Sequence, residues 1–93
     1  MIDLVWLDDR RGTPAVQLSD EDWSMLDREL KFLKSKTGVG LDRYSDTRLA
    51  PDHAKILASA IRSAKHDGDK IEALLGVLDQ SVTTDRWLLV VGD

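Results

Sequence analysis

The chain has no cysteine. That excludes disulfide frameworks, thiolate nucleophiles and cysteine-based zinc sites, and it suits a reducing compartment. It also has no apolar run near the ~20 residues that a membrane-spanning helix needs. Its opening stretch, Met1-Ile2-Asp3-Leu4-Val5-Trp6-Leu7-Asp8, is short and has no basic residues ahead of the apolar ones, so it does not read as a signal peptide. Lysine and arginine form no block, and the net charge is −4. The electrostatic footprint of a nucleic-acid binder is therefore missing. A mildly acidic chain repels nucleic acid and anionic lipid and meets a basic protein faster. Gly38-Val39-Gly40 follows a helical pattern rather than a strand and lacks a third glycine, so it is no dinucleotide fingerprint, and no phosphate-binding loop occurs. Together these absences point to a cytoplasmic protein with no cofactor, no nucleic acid and no membrane among its partners.

What remains is a chain of 93 residues, 42% hydrophobic, enough for one domain over residues 1–93 with one modest core. Ile2 to Leu7 alternates as a strand, with Ile2, Leu4 and Trp6 on one face. A polar stretch with Gly12 and Pro14 follows, then a second strand over Ala15-Val16-Gln17-Leu18 that completes a hairpin. Ser19 is a good N-cap for a helix over residues 20–36, where Trp23, Leu26, Leu30 and Leu33 make one apolar stripe and Gly38 supplies the stop. A short strand falls near residues 39–44 or 46–49. Pro51 opens a second helix, with Ala54, Leu57, Ala58, Ile61 and Ala64 as its apolar stripe. Asp69, with Glu72 three residues on, is expected to cap a third helix bearing Ile71, Leu74, Leu75 and Leu78. Trp87-Leu88-Leu89-Val90-Val91 is a continuous apolar run that reads as a central strand. The fold expected is α+β: a two-layer sandwich with a small, mainly antiparallel sheet, the first and last strands adjacent, and about three helices on one face. Trp6, Trp23 and Trp87 all fall on faces expected to be buried, as one aromatic centre.

The densest polar run is Leu41-Asp42-Arg43-Tyr44-Ser45-Asp46-Thr47-Arg48-Leu49-Ala50-Pro51. Three readings fit it. If it is extended, Asp42, Tyr44 and Asp46 share a side, and two carboxylates with Asp52 and His53 brought round make a metal-dependent or acid/base site. If Asp46 or Thr47 bonds its own backbone, the run is a turn leading into the helix at Pro51. If it faces outward, Asp42, Arg43, Tyr44, Asp46 and Arg48 form a partner-binding surface, since Tyr and Arg are favoured in such surfaces. The run lacks the ligand series and central glycine of a calcium loop, and nothing in the chain presents a nucleophile elbow. His53 and His66 lie thirteen positions apart on one expected helix and face roughly opposite ways. His66, near that helix's C-terminus, reads as a dipole-complementing side chain. The helices expected over 51–66 and 69–82 match a helix-turn-helix only in length, because Asp69, Glu72 and Asp79 stand against a single Lys70 in the second.

Asp42, Tyr44, Asp46, Thr47, Leu49 and Pro51, with Val90-Val91-Gly92-Asp93, resemble a pattern in small bacterial proteins of the toxin-immunity type. Arg43 and Arg48 stand outside that pattern. The resemblance implies a protein that binds and blocks another, with no catalytic and no metal-binding residues. A protein-binding module is thus the leading expectation. The alternatives are a small enzyme built on Asp42, Asp46, Asp52 and His53, and a structural subunit or homodimer pairing through an exposed strand edge.

Overall fold

A computed structural model describes residues 1–42 and 44–92. The strands are β1 (Ile2–Trp6), β2 (Pro14–Leu18), β3 (Thr47–Leu49) and β4 (Leu88–Val91). The helices are α1 (Asp20–Met25), α2 (Asp27–Thr37), α3 (Pro51–Ala64) and α4 (Asp69–Thr84). All strand pairs are antiparallel, in the order β2-β1-β4-β3, so the first and last strands are neighbours at the centre, as the sequence implies. Ile2, Leu4, Val16, Leu18, Leu49, Leu88 and Val90 supply the buried sheet face. Asp3, Gln17 and Arg48 stand on the other face, where Gln17 Nε2 donates to Asp3 Oδ1 at 3.1 Å. The register slips between Leu4 and Val5, so Val5 pairs with Pro14 and Ala15 is the extra residue of a bulge. Pro14 thereby opens an edge strand, where its missing N–H is tolerated.

The helix expected over 20–36 is two helices. Leu26 (φ −96°, ψ 8°) breaks it, its N–H tightening onto Trp23 O at 3.0 Å, and no Pro or Gly is involved. Trp23, Leu26, Leu30 and Leu33 remain buried, so the break does not disturb the stripe. Ser19 caps α1 through a reciprocal pair: its hydroxyl accepts from Asp22 N–H, and Asp22 accepts from Ser19 N–H. Gly38, at φ 79°, closes α2 with a left-handed residue that costs glycine nothing. The N-cap of α4 is Gly68 rather than Asp69, which is the first helical residue, and no side chain caps that end. The stripe of α3 buries Ala54, Leu57, Ala58 and Ile61, but Ala64 is exposed.

Helix α3 packs between α2 and α4, and α4 also lies against β2. Arg62 of α3 and Asp79 of α4 form a bidentate ion pair across that contact. Hydrogen bonds from Arg62 hold the Asp79 carboxyl below its ordinary range. The pair's contribution is therefore full above that ordinary range and fades as pH falls through the lowered one. With both side chains about half exposed, the contribution is small.

Lys65 ends α3 at φ 56°, a left-handed conformation that strains any residue with a Cβ. Lys65→Gly is expected to stabilise the protein by about 0.5–1 kcal/mol. A rise in the thermal midpoint checks this, and a fall shows that the lysine stem packs favourably where it stands.

The three tryptophans do not form one aromatic centre. Trp23 is in the core, Trp6 is partly buried, and Trp87 is 46% exposed. The ring of Trp6 is covered instead by the Arg86 guanidinium, 4.3 Å from its centroid. Arg86 also donates twice to Asp8, at 2.7 and 3.1 Å, and those hydrogen bonds hold the Asp8 carboxyl below its usual range.

Candidate functional site

The run from Leu41 to Pro51 is not extended at its start. Asp42 Oδ1 accepts from Tyr44 N–H at 2.9 Å, and Ser45 N–H reaches Asp42 O at 3.4 Å. Asp42 thus shapes the turn that the sequence assigned to Asp46 or Thr47, and the alternation that placed Asp42, Tyr44 and Asp46 on one side does not hold. Strand β3 begins only at Thr47. Arg43 lies outside the described residues.

The turn is one wall of a groove of about 520 Å³. The opposite wall comes from α1 and α2, with Trp23 and Leu30 at its base and Asp27, Lys31 and Lys34 along its rim. Leu41 is buried, which anchors the turn to the core just before the polar residues begin. Tyr44 lines the groove and is 72% exposed, the most exposed large hydrophobic side chain among the described residues. On the rim, Lys31 Nζ lies 2.9 Å from Asp27 Oδ2, an exposed pair one helical turn apart and worth a few tenths of a kcal/mol. The groove thus brings an exposed aromatic side chain, apolar residues of the core and several charged side chains together.

The other candidate residues fall elsewhere. Arg48 sits in β3 opposite Leu89, on the outer sheet face. Asp46 and Asp52 are exposed. His53 reaches back at the start of α3, where its Nδ1 accepts from Ala50 N–H at 3.3 Å. His53 thereby takes the part that a Glu or Gln at the third helical position takes at other helix starts, while Ala50 offers no side-chain oxygen to the N–H groups of the first turn. Asp42, Asp46, Asp52 and His53 are not drawn together: among the described residues, no three His, Asp or Glu side chains converge on a common point.

Two features escape sequence reasoning. Glu29 is buried at 4% exposure, and His66 Nε2 lies 2.8 Å from its Oε1. α3 ends at Ala64, short of the expected residue 66, so His66 lies beyond that helix and its ring is held against α2. Glu29 lies three residues after Leu26 and four before Leu33, so the helical spacing that defines the stripe already includes it. The other feature is Phe32, which is 44% exposed on the outer side of α2.

Comparison with known protein families, curated proteins and solved structures finds no match.

Proposed function

We propose that this chain is a non-enzymatic protein-binding module, of the kind that binds and blocks a partner, and that it engages the partner through the groove that Tyr44 lines. The observation that carries this reading is Tyr44 itself, 72% exposed beside a groove with an apolar base and a charged rim. Tyrosine offers a large apolar ring and a polar tip at low entropic cost, which is why it recurs in interface hot spots. The mixed charge of Asp27, Lys31, Lys34 and Asp42 supplies register rather than raw affinity. The toxin-immunity resemblance of the same stretch agrees with this role.

Pairing of two copies through a strand edge is a weaker reading. β3 has only three residues, with Arg48 at its centre, and β2 opens with a proline and a bulge. Short, charged or bulged edges resist such pairing.

The reading is tested by passing lysate of the native host over immobilised wild-type chain and over Tyr44→Ala. A partner held by the wild type and weakened about 100-fold by Tyr44→Ala fits a hot-spot tyrosine. The variant's thermal midpoint should not move, since the side chain is outside the core. A partner held equally by both proteins places the binding surface elsewhere.

A further inference from the structure

We propose that a second surface, the groove between α2 and α3, docks an acidic amphipathic helix of a partner protein. Two adjoining hollows of about 410 and 440 Å³ share Phe32 and Ser59. Arg28, Phe32 and Lys36 recur every four residues along one side of α2. On α3 the facing positions are Ile56, Ala60 and Ala64, with Ser59 and Ser63 beside them. Ser59, Ala60, Ser63 and Ala64 are small enough to let another helix approach closely, and Phe32, 44% exposed, adds apolar area beside them. From Lys55 to Ser63 the groove runs along about two turns of α3, roughly 12 Å. That length matches a helix presenting anchors at i, i+3, i+4 and i+7.

Charge selects the occupant. The exposed ionic groups lining the groove are Arg28, Lys36 and Lys55, all cations, in a chain whose net charge is −4. None of the three forms an ion pair among the described residues, and Lys36 Nζ instead lies 5.6 Å over the Phe32 ring. The one acidic lining residue, Glu29, is buried against His66. A partner helix with carboxylates flanking its apolar anchors meets three cations with no carboxylate to displace. The apolar floor favours such a helix over a nucleic acid, whose backbone gains nothing from Phe32 and Ile56.

The site is separate from the Tyr44 groove, so either proposal can fail alone. The test uses two synthetic helical peptides with identical leucine spacing, one with glutamates and one with lysines on the polar face. Each is titrated into isotopically labelled full-length protein and followed by NMR. The glutamate peptide is expected to shift amides of residues 28–36 and 55–64, and to bind about ten-fold or more tightly than the lysine peptide, less so as salt rises. Lys36→Glu with Lys55→Glu is expected to reverse that preference, and Phe32→Ser to abolish binding while the circular dichroism spectrum stays unchanged. Equal binding of the two peptides, no binding of either, or shifts on another face would overturn the proposal. So would polyglutamate or an oligothymidylate binding as tightly as the glutamate peptide, because charge alone would then suffice.

Discussion

His66→Ala is expected to cost the fold about 3 kcal/mol, and adding Glu29→Met to the same chain is expected to restore most of that loss. The Glu29 side chain is 5% exposed. Its Oε1 has His66 as a partner at 2.8 Å, and its Oε2 has no hydrogen-bond partner among the described residues. Removing the imidazole leaves a buried carboxyl group with neither oxygen satisfied. A buried group stripped of its partner keeps the full cost of leaving water. His66 itself is 21% exposed, so losing its own packing is the smaller part of the effect. Methionine at position 29 fills a similar volume among Leu26, Leu30 and Leu33 without polar atoms. Urea midpoints of the two single variants and the double variant decide the matter. If His66→Ala leaves the midpoint in place, water reaches Glu29 freely and the pair contributes nothing. Against a total stability of about 5–15 kcal/mol for a small domain, the expected loss is a large share.

Trp23→Ala is expected to cost about 3–5 kcal/mol and to unravel α1. Trp23 is 6% exposed and belongs to the core cluster with Leu26, Leu30 and Leu33. Helix α1 has six residues, far too few to persist without tertiary support. The Ser19–Asp22 cap holds its first turn, but Trp23 is its only buried residue. The same indole lines the base of the Tyr44 groove, so the variant loses that wall as well. Trp87→Ala is the control: at 46% exposure it should cost well under half as much. Equal losses from the two variants would mean that exposure does not set what each tryptophan contributes. Hydrogen exchange of the amides in residues 20–25 reports on α1 directly.

Much of the architecture is legible from spacing alone. Leu30 and Leu33 announce a buried helical face, and Pro51 and Gly38 mark a helix start and a helix stop. The apolar run at 88–91 declares a central strand because few other environments want consecutive Leu and Val. Legibility fails where a partner is distant in sequence. Nothing near Glu29 names His66, thirty-seven positions away, as its partner. Nothing near Trp6 says that an arginine will cover it, and Trp87 looks like a core residue because only the register shows that it ends up outside. The break at Leu26 has no sequence signal, since neither Pro nor Gly stands there. The candidate site was legible in part. Residues 41–51 stand out by composition, yet their alternation misleads, because Asp42 bends the chain through its own side chain. Arg48 is carried to the outer sheet face by the strand it belongs to.

The central pairing of β1 with β4 joins Asp3 to Val91, a contact that spans almost the whole chain. Closing so long a loop is entropically slow, whereas the helix contacts between neighbouring segments form early. Residues 88–91 lie between β1 and β3, which do not pair with each other and otherwise meet only through the core that Leu4 and Leu49 share. A chain cut before Leu88 leaves β3 with no strand to pair with and β1 with β2 alone, so the last strand acts as the keystone of the sheet.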